Sequence, residues 1–241
     1  MFRMLNISTK CTSALPRISR RSRKLASTHS GAVQFRQLEV ERKFLATPSA
    51  ISYLRSNGEG SRFKKYKSLG VQINHDVYYD RDGVLFSKGV YIRRRNGHWE
   101  AKIRTGGNFI NSAFREIGGD KAVTEVVQKS LTVTADGAGI EKLLEPCAEF
   151  ITDRESWIID GKFRVDVDTT DFGHTVGEVE LTEVLQSASG EQGEEQEEEK
   201  NLREKMNQEI KAFMQTYPPA FPTGRPIGKL SAYFQKVGRE T

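Results

Sequence analysis

Cysteine is scarce in this chain. Cys11 and Cys147 are its two thiols among 241 residues. Cys11 lies in a basic N-terminal segment, so a structural disulfide is not expected and a reducing compartment fits. No Cys/His cluster has zinc-ligand spacing, and His75, His98 and His174 stand apart in the sequence. No apolar run approaches the ~20 residues of a membrane-spanning helix. The P-loop and the dinucleotide fingerprint are both missing, which removes the commonest nucleotide-binding architectures. No internal repeat recurs at solenoid spacing. Acidic residues are missing from residues 1–38, which hold Arg3, Lys10, Arg17, Arg20, Arg21, Arg23, Lys24 and Arg36.

That local absence explains the overall charge. The chain carries a net +5, yet without this segment the remainder is near neutral or slightly acidic. The basic balance is therefore no argument for nucleic-acid binding by the folded part. Residues 1–37 are rich in Arg and Ser and dotted with apolar residues, the composition of a mitochondrial transit peptide. A disordered basic arm on a cytoplasmic protein is the alternative. Residues 38–237 suffice for one sizeable domain, followed by a tail at 238–241. Hydrophobic residues make up 37% and charged residues 29%, a polar balance that a barrel lined with charge would produce.

Strands dominate from Leu38 onward. Residues 71–80 and 90–95 alternate, and Asn96-Gly97 is a two-residue hairpin signal leading into residues 98–104. Residues 112–117, 148–152, 156–159, 162–168 and 175–181 read as further strands, with Asp160-Gly161 as another hairpin turn. Helices are expected at 120–133, 138–145, about 201–216 and in the closing segment from Lys229. Residues 187–200 read as a solvated acidic loop. Short antiparallel strands joined by hairpins suggest a barrel or a strongly curved sheet.

Alternate side chains of a strand point to opposite faces. In Leu38-Glu39-Val40-Glu41-Arg42-Lys43-Phe44, this puts Glu39, Glu41 and Lys43 together, with apolar residues behind. Arg93 and Arg95, with Tyr91, share a face of a middle strand, and Lys102 follows in register with Glu100. Tyr78 or Tyr79 belongs to the preceding strand. Arg164, Asp166 and Asp168, then Glu178 and Glu180, lie on the polar faces of the last strands. Such faces ordinarily belong to sheets with one side in water. Here, however, carboxylates concentrate on the first and last strands and cations on the middle ones. A closed barrel would bring the two sets face to face. Lys and Arg suit the oxygens of a triphosphate, and carboxylates suit a hard divalent cation that bridges to them.

The ordered series Glu39-Val40-Glu41-Arg42-Lys43, Asp76-Val77-Tyr78-Tyr79-Asp80, Ile92-Arg93-Arg94-Arg95, Trp99-Glu100-Ala101-Lys102, Arg164 to Gly173, Val176 to Glu180 and Lys229-Leu230 is similar to the CYTH superfamily, the triphosphate tunnel metalloenzymes. It resembles the thiamine-triphosphatase branch over residues 38–237. The resemblance implies an α+β fold dominated by antiparallel strands, closed into an eight-stranded β-barrel or tunnel with peripheral helices. It implies metal-dependent hydrolysis of thiamine triphosphate to thiamine diphosphate and phosphate. The implied cofactor is Mg²⁺, with Mn²⁺ as a substitute. The implied partner is a small triphosphate bound by a monomer, with no nucleic acid and no membrane.

Position by position, the resemblance assigns Glu39, Glu41, Asp166, Glu178 and Glu180 to metal, with Asp168 nearby. It assigns Lys43, Arg93, Arg95, Lys102, Arg154 and Lys229 to triphosphate, with Lys102 also catalytic and Tyr78 beside it. Tyr91 shares the arginine face, where an aromatic ring can stack on a thiazolium cation. Animal thiamine triphosphatases tend to carry tryptophan around this point, so strict thiamine selectivity is not implied. An inorganic or nucleoside triphosphatase is the alternative enzyme. A non-catalytic polyphosphate-binding module is the alternative of another class, although pure anion binding has little use for so many carboxylates.

Overall fold

Two left-handed turns frame the sheet. Asn96 and Gly97 have φ of 48° and 87°, as a two-residue type I′ hairpin requires, and Asp160 and Gly161 have φ of 53° and 79° in a three-residue loop ending at Lys162, between the paired Ile159 and Phe163. The first joins β3 (Val90–Arg95) to β4 (His98–Gly107), and the second joins β6 (Glu145–Ile159) to β7 (Phe163–Thr170). This computed structural model describes residues 34–56, 63–133, 139–187 and 192–238. The basic segment read as a targeting extension lies, for residues 1–33, outside the described residues.

The remaining strands are β1 (Gln34–Phe44), β2 (Tyr66–Asp80), β5 (Asn111–Gly118) and β8 (Thr175–Ser187). All pairings are antiparallel, and the order β1-β5-β4-β3-β2-β6-β7-β8 closes into a barrel. The expected eight-stranded tunnel is therefore present. Helices α1 (Pro48–Arg55), α2 (Val84–Ser87), α3 (Asp120–Leu131), α4 (Gln192–Thr216) and α5 (Lys229–Val237) surround it.

Alternation turns the apolar faces outward, under the helices. Leu38, Val40, Val165, Val167 and Val179 pack with Met206, Ile210 and Phe213 of α4. Ile92, Trp99 and Ala101 pack with Val123 and Val127 of α3. Burying these side chains outside the barrel leaves the opposite parity, which is charged, in the lumen. Phe234 of α5 packs with Tyr78, Ala148 and Phe150, which fixes the position of Lys229 at the start of that helix.

Several local expectations change. β1 begins at Gln34, four positions before Leu38, and pairs there with Ser187. Residues 148–152 and 156–159 belong to one 15-residue strand, β6, because it is paired on both edges, to β2 and β7. The helix expected at 138–145 is a 3₁₀ turn at Ile140–Lys142, since Pro146 biases Glu145 toward extended backbone. The acidic stretch read as a loop is helical from Gln192, because glutamate and glutamine are strong helix formers. Residues 188–191 lie outside the described residues. An unanticipated helix, α1, starts where the Thr47 hydroxyl accepts the Ala50 N–H at 3.2 Å and Pro48 presets the first turn.

Candidate active site

The lumen holds a cavity of about 340 Å³. Glu39, Glu41 and Lys43 enter it from β1 and Glu178 and Glu180 from β8. Tyr91, Arg93 and Arg95 enter from β3, Lys102 from β4, Tyr78 from β2, Arg154 from β6 and Lys229 from α5. Asp166 is the one assigned residue set back from the lining. It is 2% exposed and sits behind Arg154 and Arg164, at 2.6 Å and 3.0 Å.

Register explains this convergence. Glu41 lies opposite Glu180 and Lys43 opposite Glu178 across β1 and β8. Asp166 lies opposite Glu178 across β7 and β8. The arginines of β3 face Glu100 of β4 and Asp76 of β2. Arg93 contacts Glu100 at 2.6 Å, and Arg95 makes a two-pronged contact with Asp76 at 2.7 Å for each bond. Arg154 grips Asp168 the same way, at 2.7 Å and 2.6 Å, and Lys229 donates to that carboxylate too. Lys43 donates to Glu41 and lies 3.4 Å from Glu178. Lys102 sits between Glu39 at 2.7 Å and Glu116 at 2.8 Å.

These contacts set the protonation states. Burial works against the charge of Lys43 and Lys102. Glu41 and Glu178 outweigh it for Lys43, and Glu39 and Glu116 do so for Lys102, so both stay firmly protonated. Burial also opposes ionisation of Glu178 and Glu116, yet Lys43 and Lys229 hold Glu178 down to about 2, and Lys102 holds Glu116 down to about 2. Glu39 and Glu180 go the other way. Burial raises both and Lys102 opposes it, while Glu180, Glu116 and Glu41 push Glu39 up, and Asp166 and Glu116 push Glu180 up.

Among the described residues no three carboxylate, imidazole or thiolate groups already converge in metal-ligand geometry. The donor chemistry nevertheless fits a hard divalent cation, being all carboxylate oxygen on adjacent strands. The raised proton affinities of Glu39 and Glu180 say the same: crowded carboxylates want a positive charge.

Some lining residues were not placed on the lumen from sequence. Glu116, Ser112 and Phe114 share one parity of β5, and Arg104 continues the parity of Lys102 on β4. The alternation within residues 112–117 carried the signal for the first three. Thr105-Gly106-Gly107 reads as a turn and hid Arg104.

A family model of the CYTH domain matches residues 37–214. With that match over most of the chain, the protein belongs to the CYTH domain family, as the motif series indicated. It is 29% identical over 161 residues to the thiamine-triphosphatase of Homo sapiens, covering 59% of this chain and 67% of that protein. The thiamine-triphosphatase of Macaca fascicularis is 28% identical over 166 residues, with the same coverage of 59% and 67%. Among solved structures, a putative adenylyl cyclase from Hippeastrum with a dominant triphosphatase activity is similar at a TM-score of 0.48. It is 16% identical and covers 85% of this chain and 97% of its own. A protein from Pyrococcus horikoshii is similar at a TM-score of 0.45, with 16% identity over 82% of this chain and 99% of that one.

Proposed function

We propose that the tunnel hydrolyses the terminal phosphoanhydride bond of a small triphosphate, thiamine triphosphate first among them. The observation that supports this reading is the facing of two charge sets across one cavity, Lys43, Arg93, Arg95, Lys102, Arg154 and Lys229 against Glu39, Glu41, Glu178 and Glu180. The similarity to thiamine-triphosphatases supports the choice of substrate.

The arginines and lysines take the phosphate oxygens, Arg93 and Arg95 through planar paired contacts. Glu39, Glu41, Glu178 and Glu180, with Asp166 behind them, would hold Mg²⁺ or Mn²⁺. Bound there, such an ion would supply charge neutralisation at the phosphates and an activated water. Phosphoryl transfer needs positioning and charge stabilisation more than a protein nucleophile. Lys102, kept protonated by Glu39 and Glu116, stabilises the charge that builds on the phosphate oxygens beside it. Tyr78 lies opposite Arg93 across β2 and β3 and lines the cavity with it, placed to orient that guanidinium.

Purified protein with Mg²⁺ is expected to release phosphate from thiamine triphosphate far faster than from ATP. Equal rates on the two would remove the thiamine assignment. Glu39→Gln and Glu178→Gln are expected to lower turnover by at least about 100-fold, the scale of losing a main electrostatic element of a site. Full activity in both variants would defeat the carboxylate role. Tight triphosphate binding without turnover in the wild type would favour a binding module instead.

A further inference from the structure

The lumen cations are held by carboxylates, with one exception. Lys43, Arg93, Arg95, Lys102, Arg154 and Lys229 each contact at least one. Arg104 lines the same cavity, yet among the described residues no carboxylate lies within 4.0 Å of its guanidinium. It is surrounded by rings. Its central carbon lies 5.7 Å from the ring centre of Tyr91, 5.2 Å from Phe109 and 5.3 Å from Phe114. Its Nη2 donates to the Tyr91 hydroxyl at 3.0 Å and its Nη1 to the Asn108 carbonyl at 3.0 Å.

Three aromatic rings around a delocalised cation form the kind of cage that recognises organic cations. This cage stands at an open part of the cavity wall. Phe109, at the tip of the β4–β5 connection, is 72% exposed. The backbone of Arg104 is fixed by its N–H donating to Gly89 O at 2.8 Å and by a bulge between Arg104 and Gly106. Its side chain is held only by ring faces and neutral acceptors, so it can be displaced without stranding a buried carboxylate.

We propose that Arg104 is a specificity-determining residue that occupies, as built-in cation, the aromatic recess a cationic substrate head would take. A triphosphate bearing an organic cation must expel Arg104 and meets its like charge, whereas an all-anionic triphosphate leaves it in place and gains a positive neighbour. Relative to a tunnel without it, Arg104 thereby narrows the preference for a cation-headed triphosphate such as thiamine triphosphate over an all-anionic chain. This inference rests on the reading of the cavity as a small-triphosphate site.

The test compares wild type, Arg104→Ala and Arg104→Gln. Thiamine triphosphate and inorganic tripolyphosphate serve as substrates, and thiamine diphosphate and pyrophosphate as ligands in calorimetry. In both variants the kcat/KM ratio of thiamine triphosphate to tripolyphosphate is expected to rise about 10-fold, mainly through KM, and the corresponding affinity ratio with it. A ratio that stays constant while both substrates weaken in parallel would reduce Arg104 to a structural role, and a ratio that falls would reverse its sign. If the wild type hydrolyses neither substrate, the proposed hydrolysis fails. The calorimetric ratio then still decides the role of Arg104.

Discussion

Strand parity separates Arg42 from Lys43 more sharply than their adjacency suggests. Lys43 enters the lumen against Glu41 and Glu178. Arg42 takes the opposite face, where burial lowers its pKa. Lys43→Ala is expected to lower kcat/KM by about 100-fold or more, as the loss of a charge-assisted contact to the reacting phosphates. Arg42→Ala should stay within about threefold, its effect limited to packing of the stem. Steady-state kinetics on the two variants decides, and equal losses would break the assignment of lumen by parity. Parity made Glu39, Glu41, Arg93, Lys102, Glu178 and Glu180 readable because each has an apolar neighbour in sequence, and Arg95 followed by sharing the parity of Tyr91 and Arg93. It did not reach Arg154, since Asp153 and Glu155 flank it and both faces of β6 look polar there; only the motif match found it. Asp76, the fully buried partner of Arg95, shares the parity of Tyr78 on β2, and its role as an arginine anchor shows only in the pairing of β2 with β3.

Among the elements, β1 and β8 approach closely enough to exclude a side chain at one position. Phe44 lies opposite Gly177, and a Cβ on Gly177 would meet the Phe44 ring at 2.1 Å. Phe44 cannot retreat, being 1% exposed and edge-on to Phe221 at 5.1 Å between ring centres. Gly177→Ala is therefore expected to cost about 1–3 kcal/mol by overpacking, read by urea denaturation, and to displace the neighbouring Glu178. Adding Phe44→Leu should recover part of that loss, since the two sites couple directly. An unperturbed single variant would mean that β8 can shift without cost. The hairpins at Asn96-Gly97 and Asp160-Gly161 were legible from turn chemistry alone. The extent of β6 and the start of α4 were not, because pairing on both edges and the propensity of a glutamate run leave no boundary signal.

For the molecule as a whole, the lumen makes stability depend on pH in two opposing ways. Glu116 and Glu178, each held at about 2, and Asp168, held lower still by Lys229 and Arg154 against its burial, contribute stability that is present above the ordinary glutamate and aspartate range. That contribution is lost as pH falls through their folded values. Glu39 and Glu180, raised by burial and by neighbouring carboxylates, contribute stability that is full at low pH and lost as pH rises through their folded values. In metal-free buffer the Tm is thus expected to rise as pH falls from neutrality toward the ordinary glutamate range, and to fall steeply below that range. Glu180→Gln should flatten the upper limb and leave the lower one. A Tm that only falls on acidification from neutrality would contradict the raised pair.

Closure of the barrel has a consequence for synthesis. β1 is bonded to β5 on one edge and to β8 on the other, so Glu39 and Glu41 meet Glu178 and Glu180 only after the last strand has left the ribosome. A nascent chain carries β1 with one edge open through most of translation, and pairing at such sequence separation is slow. The same Glu39, Glu41, Arg42 and Lys43 that build the site then act as gatekeepers, keeping that waiting edge from pairing with other chains.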